Sequence, residues 1–199
     1  RVGSNSSEWF DLRLRWAVCA RVEGDGETAR RYVERNIRRG RLHGKHIDLI
    51  KALLQYNIIA RYQDESERLA FLEEAMEIAL ALGDPGRVAS VQTALGHLYM
   101  DQGRTTEAKA CFQSVVDQGN GDQNDSYPEA LIGLTKNACF EGDYETASHY
   151  ADIATQLARQ STSRWVLADR LCSRGNTRRN LGQLEEAEAD YREAAELLR

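Results

Sequence analysis

Arg170, Arg174, Asn176, Arg178 and Arg179 stand within one ten-residue stretch. Guanidinium groups spaced by about one helical turn can grip a carboxylate or phosphate through charge-assisted hydrogen bonds. A side-chain amide among them adds one more donor and acceptor. The same arginines also precede an acidic segment, Glu185, Glu186, Glu188 and Asp190, with which they could pair instead. Sequence leaves both readings standing, because exposed ion pairs contribute only about 0–1 kcal/mol. A second basic run is Arg30, Arg31, Arg35, Arg38, Arg39, Arg41 and Lys45. Within it Arg31, Arg35 and Arg38 keep helical spacing opposite the apolar Tyr32, Val33 and Ile37. Nucleic acid or an acidic partner domain would suit such a stripe, but a solvated outer helix face is the more ordinary role.

Catalytic and metal chemistry find little support. No nucleophile, base and orienting group come together. The histidines are scattered except in His43-Gly-Lys-His46, a motif that reads as a surface turn rather than a metal set. Cys19, Cys111, Cys139 and Cys172 lie far apart without a Cys-x-x-Cys pair, which suits small core residues with reduced thiols. There is no Gly-x-x-x-x-Gly-Lys-Ser/Thr loop for a nucleotide. An enzyme would need a constellation built from residues such as His97 or Cys139. The expectation is therefore a non-enzymatic protein with neither cofactor nor metal.

Charge and hydropathy narrow the class further. The net charge of −5 divides unevenly, +1 over residues 1–100 and −6 over 101–199, with no general footprint for nucleic acid. The longest apolar runs, such as Ile78 to Leu82, are far short of the roughly 20 residues that cross a bilayer. No basic-then-apolar signal segment opens the chain. A cytoplasmic location is expected.

The elements that must carry these side chains are announced by a repeat. Gly24, Gln63, Gly103, Gly142 and Gly182 recur at intervals of 39 or 40 residues. A period in that range marks a helical-repeat solenoid, whose units bury apolar faces only against their neighbours. The anchor glycine suits a tight turn between two antiparallel helices. Five residues on, a small side chain (Ala29, Ala108, Ala147, Ala187) lets the helices approach, and the next apolar positions follow at spacings of four and three. Helices are predicted at 7–23 and 26–41, 46–61 and 64–82, 86–101 and 104–118, 127–140 and 143–160, and 163–180 and 183–198. Pro85 and Pro128 are expected between helices. The Gly-, Asn- and Asp-rich segment 118–126 reads as a flexible, protease-sensitive loop. The chain thus reads as all-α, one domain over 1–199, with repeats near 7–42, 46–82, 86–119, 127–160 and 163–199.

Leu95-Gly96-His-Leu-Tyr99, the Gly175-Asn176 pair and the recurrent Gly and Ala positions resemble the tetratricopeptide repeat. The departures are Gln63 and Arg68, which replace the glycine and the small residue of the second unit, and Arg174, where the family usually has Leu. The resemblance implies a right-handed α-solenoid of about five helix-turn-helix repeats whose first helices line a concave groove. The intervals exceed the usual length of about 34 residues. On that groove it places Asn57, Arg61, His97, Tyr99, Lys136 and Asn137 together with Arg170, Arg174, Asn176, Arg178 and Arg179. Asn57 and Asn176 match the family's asparagine that grips a peptide backbone. The carboxylate clamp of chaperone-binding members is absent, since Leu14 and Ile132 stand where lysine would be wanted.

Gly40 to Leu53 and Leu69 to Ala79 are similar to segments in the sensor regions of signal-transducing ATPases with numerous domains, and of maltose-regulator-like LuxR-type activators in particular. That likeness implies a sensor or interaction domain of a bacterial multidomain regulator. Its partner would be a protein, a peptide or a small inducer. The alternative is a freestanding adaptor that scaffolds a protein complex. The chain opens on Arg1, and no capping helix follows its last helical pattern, so a fragment or a partner-covered end is expected.

Overall fold

Ala29, Ala108, Ala147 and Ala187, the small residues of the repeated pattern, are all buried. The structure, a computed structural model, describes residues 7–61, 65–119 and 126–199. Those residues form ten helices and no strand: α1 Ser7–Val22, α2 Gly26–Leu42, α3 His46–Ile59, α4 Glu65–Leu82, α5 Pro85–Asp101, α6 Thr105–Asp117, α7 Tyr127–Glu141, α8 Tyr144–Gln160, α9 Arg164–Asn180 and α10 Leu184–Leu197. The all-helical, tetratricopeptide-like solenoid with its repeated helix pairs is thus what the chain adopts, and the predicted helices differ from these by two residues at most.

The chain divides into two compact units, residues 1–98 and 99–199. In the first, α1, α2, α3 and α4 pack in sequence and α1 also touches α3. Its core gathers Val33, Leu49, Ile50, Leu53 and Tyr56, with Val91 from α5. Asn36 on α2 fixes the register of α1 by donating to the Phe10 carbonyl at 2.9 Å. In the second unit α6 packs on α7, α7 on α8, α8 on α9 and α9 on α10. Leu131 and Ile132 pack with Ala154, and Ala168 and Leu171 with Ala194.

Helix starts and stops follow local chemistry. Gly142 ends α7 at φ 78°, a left-handed conformation that glycine adopts without strain, and its N–H bonds back to the Ala138 and Cys139 carbonyls. The anchor glycines 24, 103 and 182 share the positive φ. Asp25 and Asp143 cap the next helices, accepting from the N–H groups of Thr28 and Thr146 at 3.0 and 3.1 Å. Each carboxyl is held below its ordinary range by those bonds.

One expectation is corrected. Pro85 and Pro128 do not separate helices; they sit in the first turns of α5 and α7. A first-turn residue needs no intrahelical N–H bond, so proline fits there. Arg68 stands at a small-residue position yet is buried, its Nε donating to Asn57 Oδ1 at 2.9 Å and its Nη1 to the Arg61 carbonyl at 2.8 Å. Gln63 lies outside the described residues, as does 120–125 of the expected loop.

Candidate functional site

Lys136 and Thr135 on α7 fall one helical turn from Ile132 and Cys139, so these four side chains share a face. Arg170, Ser173, Asn176 and Thr177 do the same on α9. The two faces line a cleft of about 380 Å3, completed by Asp169 and Cys172. α7 and α9 both pack on α8, which holds them side by side.

Hydrogen bonding decides which polar groups remain for a ligand. Thr135 donates to the Leu131 carbonyl at 2.9 Å and Thr177 to the Ser173 carbonyl at 3.1 Å, so each hydroxyl proton is spent within its own helix. Cys139 Sγ lies 3.8 Å from Thr177 Oγ1 across the cleft floor. Arg170 bridges the helices, with Nη2 to Glu129 of α7 at 3.1 Å and Nη1 to Asp169 at 2.7 Å. Its charge is therefore largely answered by the protein.

Lys136, Ser173 and Asn176 differ from these. Lys136 is exposed and makes no ion pair among the described residues, and the Ser173 hydroxyl makes no side-chain hydrogen bond among them. Tyr191 donates its hydroxyl to Asn176 Oδ1 at 2.9 Å, which leaves the amide nitrogen as the free end. Gly175 allows this, because a Cβ there would lie 2.8 Å from the Tyr191 ring. An ammonium, a hydroxyl and an amide N–H thus stand beside the apolar Ile132. Such a surface favours a ligand that brings acceptors on an apolar body.

The other candidate residues have different surroundings. Arg174 and Arg178 point to α8 and α10: Asp190 accepts from Arg174 Nε and Nη2 at 3.0 and 2.5 Å and from Arg178 Nη1 at 3.0 Å. Asp152 accepts from the same two arginines at 3.4 and 3.2 Å. Asp190 is 3 % exposed, and the bond to it holds Arg174 above its ordinary pKa. Of the acidic residues 185–190, only Asp190 pairs with these arginines. Arg179 is exposed in the last turn of α9.

Asn137 is buried and donates to Glu141 at 3.1 Å, outside the cleft lining. Asn57 and Arg61 serve Arg68 in the first unit, and half-buried His97 belongs to that unit as well. Tyr99 carries the Arg104 guanidinium 4.3 Å above its ring. Sequence reading missed Thr135 and Ser173, though their spacing from Lys136 and Asn176 would have found them. His43 caps α2 and His46 opens α3, and among the described residues no group of three His, Cys, Asp or Glu could hold a metal ion.

The paired helices are those of a tetratricopeptide-like repeat fold. Residues 89–117 and 168–197 match the family model for the tetratricopeptide repeat. Among solved structures, PlcR of Bacillus thuringiensis, in complex with the peptide PapR7 and DNA, is 15 % identical, with a TM-score of 0.76, over 96 % of this chain and 69 % of that one. NprR in complex with its cognate peptide NprX is 16 % identical, with a TM-score of 0.71, over 95 % and 56 %. A putative kinesin light chain from Podosopora anserina with nearly identical TPR-like repeats is 13 % identical, with a TM-score of 0.70, over 97 % and 96 %. At such identities the likeness establishes the fold alone. No curated protein sequence matches the chain. Among the described residues no helix is long and apolar enough to cross a membrane.

Proposed function

We propose that this chain is a non-enzymatic recognition domain of a bacterial multidomain signalling or transcriptional regulator, and that it binds a peptide or protein segment in the α7–α9 cleft. The observation that carries the reading is the trio Lys136, Ser173 and Asn176, whose donors stand unspent beside an apolar wall. PlcR and NprR, which share the fold, were solved with peptides bound, and this supports a peptide as the ligand. A small inducer of the same chemistry would use the same donors. Binding would bias an attached switch only through different affinities for its two states. Arg174 and Arg178 serve in this reading to hold α9 on α8 and α10.

Selection of a random phage-displayed peptide library on the folded chain, followed by calorimetry, tests the proposal. Selected peptides should carry a carboxylate or clustered carbonyl acceptors next to apolar residues. Lys136→Ala with Asn176→Ala should weaken them about 10- to 100-fold, as expected for lost charge-assisted hydrogen bonds. Peptides that bind this variant unchanged would refute the site.

A second reading is a freestanding adaptor. The likeness of its fold to the putative kinesin light chain with TPR-like repeats supports this reading. Gene context separates the two: a nucleotide-binding domain upstream and a helix-turn-helix downstream mark the regulator, and further repeats alone mark the adaptor.

A further inference from the structure

Two helix-pair faces lie outside the cleft and differ in charge. On α1, Trp9, Leu12 and Trp16 form one row at spacings of three and four; on α2, Tyr32, Arg35 and Arg39 form another. The rows adjoin where the Trp16 and Tyr32 rings pack with centroids 5.6 Å apart. Leu12 and Trp16 are nevertheless 37 % and 42 % exposed. α2 carries six arginines and two glutamates, and Arg35 and Arg38 make no ion pair among the described residues. Burial first, then the charges of Arg39 and Arg35, hold the Arg13 guanidinium below its ordinary pKa, so positive charge converges on this face.

The second face belongs to α10 and α9. Leu184, Glu188, Tyr191, Ala195 and Leu198 follow at spacings of four and three in a single row. Leu184 and Leu198 are 64 % and 59 % exposed, and Trp165 on α9 is 68 % exposed. α10 carries six carboxylates and one arginine, and Glu185 and Glu186 have no ion pair among the described residues.

The chain already shows how such helices join. Arg41 of α2 grips Glu74 of α4 through two nitrogens at 2.9 and 2.5 Å, and Arg30 reaches Glu67 at 3.2 Å. Arg159 of α8 grips Glu193 of α10 in the same way at 2.6 and 2.7 Å. Arginine–glutamate pairs thus bridge the second helix of one repeat to that of the next.

We infer that the α1–α2 face docks on the α9–α10 face of a second copy of this chain, head to tail, with apolar side chains at the centre and arginine–glutamate pairs between α2 and α10 around them. The inference does not depend on what the cleft binds. Because the two faces differ, the contact is heterologous: each copy offers one of each, and association continues past two copies.

Sedimentation velocity on the wild-type chain should show mass rising above 22.5 kDa with concentration, and less so at high salt, which screens exposed pairs. Arg35→Glu disables one face and Leu198→Asp the other; both positions are exposed, so the fold should persist by circular dichroism. Each variant alone should be monomeric, and an equimolar mixture should form a complex of two chains that grows no further. A wild-type chain that stays monomeric at every concentration overturns the inference. So do variants that self-associate like wild type, a mixture that forms no complex, and an acidic peptide that occupies the α1–α2 face of a monomer.

Discussion

Asp190 accepts from both Arg174 and Arg178 while only 3 % exposed, and Arg174 itself is only 14 % exposed, so these charges belong to the fold before any ligand. Removing the acid strands two guanidinium groups beside a single, more exposed carboxylate, Asp152. Asp190→Asn should therefore cost about 3–5 kcal/mol in urea unfolding, the penalty for breaking a buried pair from one side. Lys136→Ala should leave the unfolding midpoint in place and change only ligand binding. Arg68 makes a parallel case. Arg68→Ala empties a buried site and leaves Asn57 without its partner, at about 1–3 kcal/mol for the orphaned amide alone. Adding Asn57→Leu should recover part of that loss, since an apolar side chain has no bond to miss.

α9 shows how the same element serves packing on one side and recognition on the other. Its Gly175 admits the Tyr191 ring, and Tyr191 in turn orients Asn176. Gly175→Ala should cost about 1–3 kcal/mol through overpacking and should also weaken cleft binding, because the asparagine loses its lock. The capped helices respond to acid. Asp25 and Asp143 have lowered folded-state pKa values, so their contribution is complete above the ordinary aspartate range and is lost as pH falls through about 4 and below. Thermal unfolding of Asp143→Asn should consequently lose less stability than wild type between neutral and acidic pH.

Most of the helical order was legible in the sequence, because glycine anchors and buried alanines repeat and need only local chemistry. The cleft was legible in part. Lys136, Arg170 and Asn176 follow from helical phase, but no local pattern distinguishes an arginine that meets solvent from one that meets Asp190. Arg68 was opaque for the same reason: its partners, Asn57 and Arg61, lie on and just beyond a neighbouring helix.

At the scale of the molecule, stability in stacked repeats is a sum of units and nearest-neighbour interfaces. Asp190→Asn should accordingly raise hydrogen exchange first in α9 and α10 and leave α2 and α3 at their wild-type protection. Recognition should be equally local. Cys139 lines the cleft, whereas Cys19 is exposed on α1. The most direct measurement is the rate of alkylation of the two thiols in one chain, with and without a library-selected peptide. The peptide should slow modification of Cys139 by tenfold or more at saturation, following the fraction of occupied clefts, while Cys19 reacts at its original rate. Unchanged alkylation of Cys139 under saturating peptide would contradict the α7–α9 cleft as the site of recognition.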